Sequence, residues 1–409
     1  MMRLPSNVTR IIDILNSGGH EAYVVGGCVR DALMGRAPED FDITTSATPD
    51  QVKTHFSHTA DTGVAHGTVT VIYGDRSFEV TTFRQDGTYL DNRRPSHVTF
   101  TASLRDDLSR RDFTMNAIAF HPDVGFVDPF GGAADIASGS IRCVGEPSRR
   151  FGEDALRMLR AVRFAAQFSF AIEPATYAAI RENAHTLAKI SAERIRVELV
   201  KLLISGDSAR FADLLATGLW QAIDPASLPH FIGSFHRIQP LLAVCDAKAH
   251  NRLSLFLLHL DDAEVFRLLR RLKFDNLTIK TVRTLVNAAN QTLGTDAYSV
   301  RKALGTYGHD CLENILYLRR LIAADADDAE ALSCIDKVHR HMARILADGD
   351  AYTLSALAIN GNELKRLGIS EGAQIGAILN CLLDEVCRDP SKNHPDQLIS
   401  LAQYLAHKN

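Results

Sequence analysis

Gly26-Gly27-Cys28-Val29-Arg30-Asp31, followed closely by Asp40-Phe41-Asp42, is the stretch on which the fold of this chain turns. The glycine pair ends the apolar run Tyr23-Val24-Val25, which reads as a short buried strand. Glycines let a backbone approach phosphates with no Cβ in the way, and a helix opening there points free N–H groups at an anion. In an extended segment residues i and i+2 share a face, so Asp40 and Asp42 should point one way and Phe41 into the core. Two carboxylates on one face suit a pair of hard divalent cations. Alone, the Asp pair also fits a solvated strand end; the glycines upstream shift the balance toward metal and phosphate. Arg30 offers a charge-assisted donor to phosphate, its alternative being a helix-surface arginine.

Outward from that stretch the chain changes character. Residues 6–18 read as an amphipathic helix with Val8, Ile11, Ile12 and Leu15 on one face. Residues 68–73 and 77–82 are strand-like and flank Gly74-Asp75, the pattern of a β-hairpin. Residues 128–132 form a turn, and 141–144 the last plausible strand. After about residue 150 helical periodicity takes over, at 155–168, 193–203, 253–272, 315–324 and 375–387. The expectation is an α+β chain: a head with a small mixed sheet, then an all-α remainder.

Bulk properties agree and exclude little. At 409 residues the chain is too long for one core, so several domains are expected. Apolar residues make up 46%. A formal net charge of −4 confines any nucleic-acid surface to a local patch. The seven cysteines are scattered, with no zinc spacing, which suits reduced thiols and a cytoplasmic protein. No secretion signal is expected at the N-terminus, and no apolar run approaches a membrane span.

Further motifs stand in order. Arg110-Arg111-Asp112-Phe113-Thr114-Met115-Asn116-Ala117 comes first, then Asp128-Pro129-Phe130-Gly131-Gly132. Glu153-Asp154-Ala155-Leu156-Arg157 follows, with Arg160, Arg163 and finally Glu193-Arg194-Ile195. Together with the glycine and Asp-x-Asp segments, this series resembles the class II tRNA nucleotidyltransferases, the family of bacterial CCA-adding enzymes and poly(A) polymerases. The resemblance covers roughly the first half of the chain. It implies a polymerase-β-like nucleotidyltransferase head (1–139), a neck (140–205), a helical body (206–320) and a helical tail (321–409). In the last two the match rests on helical character and the Gly361…Gly368…Gly372…Gly376 pattern.

The resemblance also implies roles. Asp40 and Asp42 would bind Mg²⁺, with Glu79 as a candidate third carboxylate or simply an exposed strand residue. Gly26, Gly27 and Arg30 would meet the triphosphate, and Arg111 a phosphate or the ribose. Asp112 and Asn116 resemble sugar-recognition positions, the alternative being a buried turn network. Asp154 and Arg157, three apart, are expected to share one helix face. Asp accepts and Arg donates, so the pair could take the amino group and ring acceptor of C and A while rejecting U and G. An ordinary surface ion pair is the bland reading of that spacing. Arg160 and Arg163 would extend the stripe toward the nucleotide.

The partners implied are CTP, ATP and the acceptor stem of tRNA, with monomer and homodimer both open. Residues 139–205 carry eleven Lys and Arg against seven Asp and Glu, a local excess beside the nucleotide helix. The activity implied is untemplated addition of C, C and A. Siblings remain: an A-only or CC-only enzyme, or a poly(A) polymerase. The segment 84–95, through which the pocket would switch from C to A, argues against the CC-only form. A catalytically inactive RNA-binding module is the reading of another class. His309-Asp310 reads as surface, and Trp220, Phe231 and Phe235 read as core.

Overall fold

In the computed structural model, residues 2–87, 97–369 and 372–408 are described, and the chain divides into two compact units. The first comprises Met1–Phe235 with Leu268–Phe274, the second His236–Arg267 with Asp275–Asn409. Seven strands of the first unit make one mixed sheet. They are β1 (Ala22–Val25), β2 (Asp42–Thr45), β3 (Thr59–Gly63), β4 (Thr68–Tyr73), β5 (Arg76–Thr82), β8 (Ala119–His121) and β9 (Gly125–Val127), in the order β3-β4-β5-β2-β1-β8-β9. Two further strands, β6 (Arg84–Asp86) and β7 (Val98–Phe100), pair with each other as a separate ribbon. The rest of the proposed switching segment, residues 88–96, lies outside the described residues.

Alternation sorts the sheet into two faces. Val24, Ile43, Val69, Val71 and Val80 pack against α1 (Ser6–Ser17) and α3 (Pro49–His55). Val8, Ile11, Ile12 and Leu15 of α1 are all fully buried there, as their spacing demands. Tyr23 and Val25 face the other way, onto Leu104 and Leu108 of α4 (Leu104–Ser109). That second face also receives Asp42, which lies opposite Val25 in the β1–β2 pairing. The hairpin closes through Gly74-Asp75, with Tyr73 opposite Arg76, so β5 starts one residue earlier than its pattern suggests.

Two sequence expectations need correction. The strand at 141–144 shrinks to Ser140–Ile141, paired with Ala171–Ile172. Its later amides are taken elsewhere: Cys143 N–H donates to Thr176 Oγ1 and Val144 N–H to the Asp112 carbonyl. The single helix expected over 253–272 is two, Ala249–Phe256 and Asp262–Arg271. A reciprocal cap starts the second one: Glu264 N–H donates to Asp261 Oδ1, and Asp261 N–H to Glu264 Oε2. This start signal interrupts an otherwise continuous apolar period.

Other helices form further apolar clusters. In the second unit Val300, Leu312, Leu316, Val338 and Met342 share one cluster, and Ile378, Leu382, Val386 and Leu398 another. Trp220, Phe231 and Phe235 are core residues of the first unit, and Trp220 Nε1 donates to Ser227 Oγ. Among the described residues no helix is long and apolar enough to cross a membrane.

One glycine governs how closely the elements around the site approach. Gly132 opens α5 (Gly132–Ser138), and a Cβ there would overlap the backbone carbonyl of Thr114. Asp128 Oδ1 and Oδ2 accept from Gly132 N–H and Ala133 N–H, fixing that helix start. Gly132→Ala should cost about 2 kcal/mol or more, because backbone must move. At Gly152, where an added Cβ meets nothing within 4 Å, alanine should be neutral or stabilising. Urea midpoints of the two variants check this; equal midpoints would show that the Thr114 turn yields freely.

Candidate active site

The first site element is the turn after β1. Gly26 adopts φ +80° and ψ −126°, a conformation closed to residues with a Cβ. A Cβ at Gly26 would also come within 3.0 Å of Arg111 Nη1. Gly27 lacks both constraints: an added Cβ would lie an ordinary 3.6 Å from Arg30 Nη2. The helix that follows, α2 (Gly27–Leu33), is only seven residues long. It serves mainly to bring Arg30 inward. Cys28, on the same turn, is a packing residue whose thiol is pushed up to about 11 by burial and then by Asp42.

Asp40, Asp42 and Glu79 line one open cleft of about 820 Å³, together with Glu39 and Asp75. Phe41, between them, is partly buried: it packs on the sheet core and also lines the cleft. Glu79 precedes Val80 as Asp42 precedes Ile43, and Ile43 pairs with Val80 across parallel strands, so the two carboxylates sit on adjacent strands. Among the described residues, none of the side-chain carboxylates of Asp40, Asp42 and Glu79 has a hydrogen bond or ion pair. Asp42 is reachable from solvent, yet the cleft walls partly desolvate it. That desolvation raises its pKa, Arg111 opposes it, and Asp40 adds to it. Such unpartnered oxygen donors fit a divalent cation. Among the described residues, no three His, Cys, Asp or Glu side chains converge to hold one. A cation on Asp40 and Asp42 would therefore complete its shell from substrate or water.

Beside the acids lies a network of arginines on buried carboxylates. Asp107, fully buried on α4, accepts from Arg110 Nε and Nη2 at 3.0 and 2.6 Å and stands 3.5 Å from Arg111 Nη2. Arg111 Nε is buried with no hydrogen-bond partner. Asp112 Oδ1 accepts from Phe113 N–H and Asn116 Nδ2, and Asp112 Oδ2 from Arg160 Nε at 2.9 Å. Burial alone would push Asp112 up; Arg160 and the Asn116 amide outweigh it and hold its pKa at about 2. Asn116 Oδ1 in turn accepts from Arg30 Nη1 at 2.8 Å, while Arg30 Nε and Nη2 donate to Asp31. Glu198, on α9 (Ala192–Leu203), closes the chain. Arg160 Nη1 is 3.7 Å from it, and Arg163 Nε 2.5 Å but out of line for a hydrogen bond.

The expected Asp154–Arg157 pairing on one helix face is not what forms. Asp154 ends α6 (Pro147–Glu153) with extended φ −142°, and α7 (Leu156–Phe168) starts two residues later. An Asp at a helix boundary prefers to cap: its Oδ1 accepts from Leu156 N–H. Its Oδ2 accepts from Arg194 Nη2 at 2.7 Å. Arg157, nine-tenths buried, donates instead to Glu153 Oε2 at 2.8 Å and to the carbonyls of Arg150 and Arg110.

Comparison with known proteins decides the family. The CCA-adding enzyme of Levilactobacillus brevis is 38% identical over 95% of this chain and 95% of its own length. This chain belongs to the CCA-adding enzyme family. The CCA-adding enzyme of Limosilactobacillus reuteri is 37% identical over 97% of this chain and 95% of its own. The Bacillus stearothermophilus CCA-adding enzyme, solved in complex with CTP, superposes with a TM-score of 0.81 at 34% identity. That match covers 100% of this chain and 98% of the other. The poly(A) polymerase head domain matches residues 22–142, an RNA- and SrmB-binding site of polymerase A 169–228, and tRNA nucleotidyltransferase domain 2 248–402.

Sequence reading of this CCA-adding enzyme family member missed Asp107, Glu153 and Glu198 as ion-pair partners. Asp107 and Glu153 were within reach, lying three or four residues from their arginines. Glu198 gave no such signal, because its partners sit on another helix.

A carboxyl whose folded pKa is raised costs stability once ionised, and stability recovers as pH falls through that raised value. Asp42→Asn should therefore hold or raise the thermal midpoint at pH 7 while abolishing nucleotide transfer. Scanning calorimetry beside a transfer assay checks this. A fall of many degrees would make Asp42 a structural partner instead.

Proposed function

We propose that this chain adds C, C and A to tRNA 3′ ends from CTP and ATP without a nucleic-acid template, in the cytoplasm. The observation that carries the reading is the unpartnered Asp40–Asp42 pair beside Arg111 at the glycine turn. Relatives named CCA-adding enzyme along nearly the whole chain support it, as does the fold shared with a CTP-bound CCA-adding enzyme. Asp40 and Asp42 would hold Mg²⁺, which when bound acidifies the attacking 3′-hydroxyl and neutralises the triphosphate. Glu79 is the nearest further carboxylate on the sheet. Arg111, whose side chain stays partly exposed, can offer its guanidinium to phosphate. Arg30 and Asn116 are occupied with each other, so they would shape the nucleotide pocket through their remaining groups.

Base choice is assigned to Asp154 and Arg157. Asp154 Oδ1 and Oδ2 can still accept the amino group common to C and A. Arg157 must share or leave Glu153 to donate to the ring nitrogen. The head, neck, body and tail at 1–139, 140–205, 206–320 and 321–409 are proposed to divide chemistry, base reading and tRNA binding between them.

The test uses tRNA lacking its last three nucleotides. CTP alone should extend it by two C, both nucleotides together should give CCA, and ATP alone should extend only tRNA already ending in CC. Addition of A alone, arrest at CC with ATP present, or a long A tract would each overturn the reading.

Asp154→Ala should shrink the preference for C and A over U and G by about 1–3 kcal/mol per lost contact, leaving residual synthesis. Single-turnover incorporation of the four nucleotides measures it. Equal loss for all four would make Asp154 a brace for Arg194 and no more.

A further inference from the structure

The arginine network is built around an aromatic ring that neither metal binding nor base reading uses. Phe164 lies on α7, one turn after Arg160 and next to Arg163. Three guanidinium carbons lie close to its ring centroid: Arg163 at 3.7 Å, Arg160 at 5.3 Å and Arg30 at 5.4 Å. Phe168, one turn on, stacks at 5.7 Å and 9°, and carries Arg30 at 4.8 Å and Arg36 at 5.0 Å. Phe113 meets Phe164 edge-on at 5.8 Å.

This ring touches three elements that bear candidate nucleotide ligands. Arg30 comes from the glycine-turn helix, Phe113 from the Arg111–Asn116 segment, and Arg160 and Arg163 from α7. Three cations drawn together out of water repel one another. Asp31, Asp112 and Glu198 balance their charge from the outside. The negative face of the ring attracts them from the inside. The side chains of Arg30 and Arg163 are 10% and 8% exposed, whereas Arg160 keeps 33%. Arg160 is thus the member of the cluster open to a ligand. Its direction is set by Asp112 on one side and the Phe164 ring on the other. A leucine would be apolar but smaller, and would steer none of the three.

We propose that Phe164 is a positioning residue for nucleotide binding, acting through Arg160 and Arg30 by cation–π attraction. The proposal rests on the nucleotide site proposed above. The test replaces Phe164 with 4-fluoro-, 3,5-difluoro- and 3,4,5-trifluorophenylalanine in the full chain. Ring size barely changes along that series, while the negative face weakens stepwise. The KM for CTP and ATP should rise stepwise, to about tenfold at three fluorines, with kcat changing far less and the thermal midpoint nearly constant. Phe164→Tyr should keep the KM of the native chain, and Phe164→Leu should match the trifluoro form. A KM flat across the series, with the native chain incorporating CTP and ATP, would leave the ring as packing alone and overturn the proposal. A native chain that incorporates neither would instead overturn the reading of the site, and the role of the ring with it.

Discussion

The carboxylate of Asp112 is the constraint on which the catalytic part of this molecule depends. It is nine-tenths buried and remains ionised because Arg160, the Asn116 amide and the Phe113 backbone N–H converge on it. A buried charge is tolerated only when so surrounded. Through Asn116 the same carboxylate holds Arg30, and through Arg160 it connects to Glu198. The glycine-turn helix, the Arg111–Asn116 segment, α7 and α9 are thus tied by charge. Removing any one partner would strand another in a dry place, which makes the arrangement rigid rather than merely stable.

Against that saturated network the acidic pair is under-satisfied. Asp40 and Asp42 face a cleft, and Asp42 feels the repulsion of Asp40 and the opposing attraction of Arg111. The contrast separates scaffold from chemistry. Groups that satisfy one another hold the site in shape, while groups without protein partners are free to meet a cation and a triphosphate. Arg111 spans both: its guanidinium packs against Gly26 and Asp107, and its Nε has no partner. Functional groups held in this unsatisfied state cost stability in the free protein, a familiar exchange at sites that bind charged ligands.

Much of this was legible in the residues themselves. The period of the first helix and the hairpin at Gly74-Asp75 follow from local geometry that each segment carries alone. The core placement of Trp220, Phe231 and Phe235 follows likewise. Where reading failed, a local signal of another kind competed. The cap of Asp261 and Glu264 broke a helix that apolar spacing alone would have continued. Backbone amides at Cys143 and Val144 found partners away from the sheet.

By itself the sequence determined which residue types were present for the chemistry and the local frame of each: a positive-φ turn that suits Gly26, two acids one residue apart, arginines at helical spacing. Only the tertiary structure decided who pairs with whom. Asp154 caps a helix boundary and binds Arg194, Arg157 binds Glu153, Glu198 takes two arginines of α7, and Phe164 gathers arginines from two helices. Spacing along a chain sets the neighbours of a side chain within one turn. The partner of a buried charge is the nearest opposite charge in three dimensions, and only packing reveals which that is.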